Sequence, residues 1–360
     1  MASLETLPEE LLLCIIEHAS QHVRAANPWR NVSRVSPTIL NLCRTNRRFN
    51  RLAIPYLYRE FSFSLVENPE LFVNVIARSP ELADYVHHVG WSINPSHYNT
   101  RANEFVLPQK LKEMESPHPR ELGRVLQEEK LDWHHDQYLA GFLMLTPNVA
   151  SLSVIDTFPF KGDHPRSWME TIRLCVPHTF HHLRSVTVDG YRSVLGIVPL
   201  FLLPSMRTLR IVDVTERARP DPEHTNFLVS QGVYRQRVNA LVGVSNIETL
   251  QLARCCLDSR LVEWLLTLCA ALKVFQHDFH HLQNYGNEDR PETAHIELCY
   301  DKIAKGLERH VASLEYLELD HQHGRYNYRG DTLGSLDHFL ALKTLRVPPT
   351  ALSQSSNRIG

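Results

Sequence analysis

Glycine is scarce in this chain, with 14 among 360 residues. Loops that cradle phosphate groups need glycine because the backbone must approach the ligand closely. Neither a Gly-x-Gly-x-x-Gly nor a Gly-x-x-x-x-Gly-Lys-Ser/Thr pattern occurs, and the segment Gly330–Gly334 lacks the serine of a hydrolase nucleophile elbow. The sequence therefore predicts a protein with no catalytic residue and no cofactor.

Paired cysteines are also missing. The chain has seven cysteines, an odd number, at scattered positions, and no two of them form a Cys-x-x-Cys pair. Several lie in apolar runs such as Leu265–Cys269. This pattern argues against a disulfide framework and against a structural zinc knot. Reduced, buried thiols in a protein of the cytoplasm, the nucleus or both are predicted instead.

The chain has no excess of charge and no long apolar run. Its formal net charge is −2, so the basic face that attracts nucleic acids and anionic membranes is not expected. No stretch approaches the roughly 18 apolar residues of a membrane span. The apolar run Leu11–Ile16 is too short for a signal peptide and lacks a basic leader. The sequence predicts neither nucleic acid nor membrane as a partner.

Histidine is plentiful, with 21 residues, but its arrangement does not predict a metal site. The residues that could be taken for ligands are His277, Asp278, His280, His281, His321 and His323. A metal ion needs three or four ligands that converge at about 2 Å, and no His-Glu-x-x-His pair is present. Scattered surface histidines are the prediction, and an enzyme with a site in these loops is a minor alternative.

The N-terminus has the pattern of three short helices. Pro8 stands in a first helical turn, followed by the carboxylates of Glu9 and Glu10 at the positive end of the helix dipole. Apolar residues then recur at helical spacing, namely Leu11, Leu12, Ile15, Ile16 and Ala19. A second helix is predicted from Pro37, and a third is expected to stop before Pro55. The first 60 residues are therefore predicted to form a small helical module.

After the helices, a short phrase recurs in the form apolar-x-x-apolar-x-apolar. Its copies begin at Val86, Val149, Leu183, Met206, Ile247, Leu314 and Leu342, and a degenerate copy begins at Leu272. From Val149 onward, successive copies begin between 23 and 42 residues apart, and most are followed by a helical pattern. The shorter intervals fit leucine-rich repeats of roughly 20–29 residues. The phrase predicts an irregular α/β solenoid resembling leucine-rich repeats, and an ordinary α/β domain with several parallel strands is the alternative.

The predicted organisation has three parts. Residues 1–60 form the helical module, residues 61–352 form the solenoid with an inserted loop at about 94–119, and residues 353–360 form a tail. The polar positions of each strand should line the open face of the solenoid. The candidates for binding a partner there are Asp189, Arg210, Gln251, Tyr316, Glu318 and Arg346. The alternative is a solvated face that binds nothing.

The N-terminal residues resemble the F-box family. Leu7–Leu12 (LPEELL), followed by Ile15 and Ile16, is similar to the opening of that motif. Asn41–Arg44 together with Arg47–Ala53 resembles its close, and the continuation is similar to the exit of many fungal-type F-box proteins. The resemblance covers about residues 4–63. A polar segment at about 21–35 separates the two halves more widely than in the compact motif, which predicts a bulging first loop.

The resemblance implies a function in ubiquitin-dependent protein degradation. In this family the helices dock on a Skp-type adaptor, which links them to a cullin–RING ubiquitin ligase, and the repeats hold a protein substrate. The implied adaptor-binding residues are Leu7, Pro8, Leu11, Leu12, Ile15, Leu42, Phe49 and Leu52. Some of these residues can equally be the core of the module. A non-catalytic scaffold that engages no ubiquitin ligase remains the alternative function.

Overall fold

The structure is a computed structural model that describes twelve segments of the chain. They are residues 6–21, 37–62, 69–93, 106–114, 117–128, 135–156, 167–175, 180–190, 194–216, 242–280, 299–323 and 331–352. The chain divides into two compact units, Met1–Leu183 and Arg184–Gly360. The domain boundary predicted at residue 60 therefore falls inside the first unit. The predicted bulging loop at residues 21–35 and the tail at 353–360 lie almost wholly outside the described residues.

The first unit begins with helices and continues with alternating helices and strands. Its helices are α1 Glu9–Gln21, α2 Pro37–Thr45, α3 Arg47–Tyr58, α4 Pro69–Arg78, α5 Pro80–Ala83, α6 Val106–Glu113, α7 Pro117–Glu128, α8 His135–Leu145 and α9 Ser167–Cys175. Its strands are β1 Glu60–Ser62, β2 His88–Ser92 and β3 Ser151–Ile155. These three strands pair in chain order and in parallel.

The second unit is built around parallel strands. Its strands are β4 Ser185–Asp189, β5 Thr208–Val212, β6 Thr215–Glu216, β7 Thr249–Ala253, β8 Cys256–Leu257, β9 Val274–His280, β10 Tyr316–His323 and β11 Thr344–Arg346. Its helices are α10 Val198–Phe201, α11 Ser259–Leu268, α12 Tyr300–Leu307 and α13 Pro349–Leu352, with 3₁₀ turns at Val194–Ile197 and Glu308–His310. Strands β4, β5, β7, β9, β10 and β11 pair in this order, and β6 pairs with β8.

The described residues thus form a mixed α/β protein with nine main strands that are all parallel to their bonded neighbours, and 13 helices. This confirms the predicted fold class at the level of α/β. Parallel neighbours need a crossover between them, and α11 and α12 provide two such crossovers. These two helices pack closely, because a Cβ atom on Gly306 of α12 would lie 2.8 Å from Leu266 Cδ1 of α11.

The recurring phrase explains where the strands lie. In every copy from Val86 to Leu319 the three apolar positions are buried, including the degenerate copy in which His277 takes the third position. The residue between the second and third of these positions is half-buried in each copy, and it is polar in every copy except the first, where it is Gly90. This alternation is what the period of two in a strand requires. The copy that begins at Leu342 is different, since Leu345 is 40% exposed. That copy supplies β11, the last strand of the described chain.

The three N-terminal helices share one small core. The core consists of Leu12, Ile16, Ile39, Phe49, Leu52 and Ala53. Asn46 caps α3 by accepting a hydrogen bond from the Phe49 amide at 2.9 Å, which explains how α3 can start directly after α2. The prediction that the third helix stops before Pro55 is wrong, because α3 continues through Pro55 to Tyr58.

Helix α3 leads into β1 with one residue, Arg59, between them. An aromatic cluster surrounds the start of that strand. Phe61 of β1 stacks on Phe72 of α4 with ring centroids 4.4 Å apart, and it contacts Phe142 of α8 at 5.5 Å and Trp91 of β2 at 5.8 Å. The end of the helical module is therefore packed directly into the sheet of the first unit.

The loop predicted at 94–119 is wrong for its described part. Residues 106–113 form α6, and α7 begins at Pro117. Prolines suggested a loop, but Pro108 stands in the first turn of α6, where its missing N–H costs nothing. Leu107 and Leu111 are fully buried, and this packing stabilises the helix. Among the described helices, none is long and apolar enough to cross a membrane.

Candidate protein-interaction surfaces

Helix α1 presents an apolar stripe to solvent. The docking stripe, as we name it, consists of Pro8, Leu11 and Ile15. Leu11 is 51% exposed and Ile15 is 46% exposed, although both are large aliphatic residues. Leu11 and Ile15 are four residues apart and therefore lie one above the other on the same helix face. The neighbouring residues Leu12 and Ile16 are buried in the core of the helical module. They lie about 100° around the helix from Leu11 and Ile15, so the stripe occupies the face next to the buried one.

The structure separates the eight predicted adaptor-binding residues into three groups. Leu12, Phe49 and Leu52 are buried in the core of the helical module. Leu7 and Leu42 are partly buried and pack against that core. Pro8, Leu11 and Ile15 are exposed. Among the eight, the last group is the most accessible to a partner, and Leu7 and Leu42 are accessible in part.

Polar contacts fix the position of α1. The Arg48 guanidinium donates a hydrogen bond to the Leu7 carbonyl at 2.7 Å, and its Nε lies 3.7 Å from Glu9. Arg51 forms a second ion pair with Glu9. Asn50 donates to the Cys43 carbonyl at 2.8 Å and so joins α3 to the end of α2. These bonds orient the start of α1, where the docking stripe begins.

A second surface lies on the sheet of the second unit. The polar row, as we name it, consists of Arg210, Gln251, Gln276, Glu318 and Arg346. These residues occupy equivalent register positions on β5, β7, β9, β10 and β11. Each stands between two apolar positions of the recurring phrase. Neighbouring members are therefore about 4.8 Å apart, the spacing of adjacent strands.

Hydrogen bonds in the polar row converge on one carboxylate. The Gln251 side-chain amide donates to Gln276 Oε1, and Gln276 Nε2 donates to Glu318 Oε2 at 2.7 Å. The Tyr316 hydroxyl donates to the same Glu318 oxygen at 2.7 Å. Arg346 lies 3.6 Å from the other oxygen and places its guanidinium 5.9 Å from the centre of the Tyr316 ring. The carboxylate therefore fixes which way both glutamine amides point.

The pKa values of the acid and the phenol agree with this geometry. Partial burial raises the pKa of Glu318, but the hydrogen bonds from Tyr316 and Gln276 and the charge of Arg346 outweigh it, so its pKa lies below the ordinary value. The hydrogen bond to Glu318 raises the pKa of Tyr316. At neutral pH the row therefore contains an ionised carboxylate that accepts from a neutral hydroxyl.

Asp189 belongs to a neighbouring group of charges rather than to the row. It ends β4, paired with Val212. Burial and the nearby charge of Asp213 raise the pKa of Asp189, and the guanidinium groups of Arg254 and Arg210 oppose this rise. Arg254 itself forms an ion pair with Asp213 at 2.6 Å. Asp189 therefore interacts electrostatically with Arg210, the first member of the row.

The structure thus brings the six predicted partner-binding residues together within the second unit. Four are in the polar row, Tyr316 is bonded to Glu318, and Asp189 acts on Arg210. Sequence reasoning missed Gln276, the centre of the hydrogen-bond chain. The signal was present, because Gln276 stands between Phe275 and His277 in the degenerate copy of the phrase.

Sequence reasoning also missed a ladder of charges at the start of the strands. Glu248 binds Lys273 at 2.7 Å and Arg207 at 3.8 Å, and Glu315 binds Lys343 at 2.6 Å. Each of these residues directly follows the first apolar position of a phrase copy. In each strand they therefore come before the residue that belongs to the polar row. Pairs this exposed contribute little stability, because water screens their charges. The ladder marks one rim of the surface that contains the polar row.

Glu318 provides a test of the row. We expect Glu318→Gln to lower the free energy of unfolding by about 1–3 kcal/mol at pH 7, because the neighbouring donors lose a charged acceptor. Glu315→Gln is the matched control, and it should cost clearly less, because the Glu315–Lys343 pair is exposed and water screens it. Because the folded pKa of Glu318 is lowered, its contribution is present above the unfolded pKa of about 4.3 and is lost as pH falls through the folded value. Urea unfolding at pH 7 and at pH 3.5 measures both effects, and equal losses for the two variants would contradict the convergence on Glu318.

Histidines do not assemble a metal site within the described part of the chain. In those ranges no group of three or more His, Cys, Asp or Glu side chains could hold a metal ion. His277 is fully buried, and its ring lies 3.4 Å from the Phe279 ring, centroid to centroid. The side chains of His280, His281, His321 and His323 lie outside the described residues.

Comparisons with known proteins give no identification. No model of a known protein family matches the chain, and no curated protein matches its sequence.

Proposed function

We propose that this protein is the substrate-recognition subunit of a ubiquitin ligase of the Skp–cullin–F-box type. The observation that carries the proposal is the docking stripe. Leu11 and Ile15 stay exposed, whereas Leu12 and Ile16 on the adjacent face of α1 are buried in the core that the three helices share. Large aliphatic residues at one-turn spacing on a stabilised helix favour a partner with an apolar groove. The F-box resemblance of these residues implies a Skp-type adaptor as that partner.

The polar row is the proposed substrate surface. Bonds to Glu318 orient the side chains of Gln276 and Tyr316, and Gln276 in turn orients Gln251, so that these side chains lose little conformational entropy when a partner binds. The row presents two glutamine amides, one carboxylate and two guanidinium groups, and the Tyr316 hydroxyl lies beside it. This chemistry suits hydrogen bonding to a protein segment.

No catalytic step is assigned to this chain under the proposal. Ubiquitin transfer takes place on other subunits, and the chain acts by raising the effective concentration of its substrate beside them. The adaptor and, through it, a cullin are the proposed partners, together with a protein substrate.

The test is reconstitution with purified components. The full chain, a Skp-type adaptor and the N-terminal part of a cullin are mixed and separated by size-exclusion chromatography. We expect the three to elute as one complex. Elution of the folded chain apart from an adaptor that binds a reference F-box protein would overturn the ligase proposal. That outcome would favour the alternative, a non-catalytic scaffold that engages no ligase.

A further inference from the structure

A buried histidine joins two successive strand–helix segments of the second unit. His310 lies in the 3₁₀ turn after α12 and is fully buried. Its Nδ1 accepts a hydrogen bond from the Leu272 amide at 3.2 Å, and its Nε2 lies 3.0 Å from the Leu266 carbonyl oxygen. Leu266 is in α11, and Leu272 begins the phrase that supplies β9. The ring thus connects three places in the chain.

These partners permit only one state of the imidazole ring. A carbonyl oxygen can only accept, so Nε2 must carry a proton and donate it to Leu266. An amide can only donate, so Nδ1 must be unprotonated and accept from Leu272. A second proton on the ring would place an N–H against the N–H of Leu272. The folded geometry therefore selects the neutral ring and rejects the imidazolium.

The surroundings of the ring also favour its neutral form. Burial lowers the pKa of His310, the bond to the Leu266 carbonyl partly offsets this, and the charge of Arg309 lowers it again. Arg309 is the charged group whose field acts on the ring. At the end of α11, burial raises the pKa of Cys269 to about 12, so its thiol stays neutral. The next turn contributes the uncharged Ser313, which donates to the Leu272 carbonyl at 2.9 Å.

We propose that His310 is an acid-sensitive joint, whose protonation releases the Leu272 amide and loosens the start of β9. The consequence reaches the polar row, because β9 carries Gln276 only four residues after Leu272. Ser313 donates a hydrogen bond to the carbonyl oxygen of Leu272. Both backbone polar groups of Leu272 are therefore bonded to this turn, the N–H to His310 and the carbonyl to Ser313. The proposal does not depend on the ubiquitin-ligase function.

The sign of the pH effect follows from linkage. The folded pKa of His310 lies below the ordinary value of about 6.5 that the ring has in an unfolded chain. Its contribution to stability is therefore complete above pH 6.5 and is lost as pH falls from there toward the folded value. Over that window the opening equilibrium constant should rise by up to about tenfold per pH unit.

Hydrogen exchange of the full chain tests the joint. Exchange of peptides that contain Leu272 is followed by mass spectrometry at pH 7.5, 6.5 and 5.5 and expressed as protection factors. We expect the wild type to keep its protection between pH 7.5 and 6.5 and to lose it severalfold at pH 5.5. In His310→Gln, protection should be lower throughout and equal at the three pH values. His338→Gln is the control, since His338 is exposed, and it should behave as the wild type.

Two results would overturn the proposal. One is a wild-type protection factor that does not change between pH 6.5 and 5.5. The other is an equal loss in wild type and His310→Gln, which would place the titrating group elsewhere. If His310→Gln does not fold, the imidazole ¹⁵N signals of the wild type decide the question. The neutral Nε2–H form at pH 6.0 supports the joint, and the imidazolium at that pH contradicts it.

Discussion

A chain that carries both Leu11→Asp and Ile15→Asp should lose more than about a hundredfold in affinity for a Skp-type adaptor and should still fold. Each carboxylate would have to be desolvated against the apolar groove that receives α1, and a loss of about 1.4 kcal/mol per site already gives this factor. Folding should persist because Leu11 and Ile15 are about half exposed in the free chain. Calorimetric titration with the purified adaptor measures the affinity.

The matched control is Leu71→Asp. Leu71 is a leucine of α4 that is 66% exposed and lies outside the three-helix module. It should leave the affinity for the adaptor within about twofold of wild type, because a substitution outside a contact rarely matters. Circular dichroism and urea unfolding establish that all three proteins are folded. Undiminished adaptor binding by the double variant would remove the docking stripe from the proposed interface.

Two adjacent leucines of α1 should behave in opposite ways. Leu12→Ala should lower the free energy of unfolding by about 2–5 kcal/mol, because Leu12 is only 1% exposed and its loss leaves a cavity in the module core. Leu11→Ala should lower it by about 1 kcal/mol or less, because about half of the Leu11 side chain is already exposed. For adaptor binding we expect the reverse order once each variant is shown to be folded.

Urea unfolding of the two alanine variants measures this difference, with tryptophan fluorescence and circular dichroism as independent probes. Similar losses of stability for Leu11→Ala and Leu12→Ala would mean that α1 does not pack as described. The pair also shows which substitutions can test docking. Leu12→Asp would place a charge in the core, so a failure to bind would report unfolding rather than a lost contact.

The strands could be predicted from the sequence because each is short, parallel and buried on one side. Copies such as Leu183–Val188 and Leu314–Leu319 show the same burial in the structure as in the pattern. Helices were harder to predict where prolines occur. Pro55 continues α3 and Pro108 stands within α6, since packing of Leu52 and Leu107 outweighs the local preference against helix.

The composition of the polar row was predictable, but its bonding was not. Alternation within a strand places Arg210 and Glu318 on the open face whatever the neighbours are. Which residues meet across strands depends on register, and register is set by crossovers whose lengths vary from strand to strand. Gln276 shows the limit, because its copy of the phrase ends in His277 and looked degenerate. The structure shows that a buried histidine can fill a position that leucine fills in other copies.

The direct passage from α3 to β1 has a mechanical consequence. One residue, Arg59, separates the helix from the strand, and Phe61 is clamped between aromatic rings of α4, β2 and α8. A one-residue connection leaves little freedom for the helices to rotate relative to the strand. A force applied to the three helices is therefore expected to be transmitted to β1 and β2. We expect inserted residues at Arg59 to uncouple the motion of the three helices from that of the first strands.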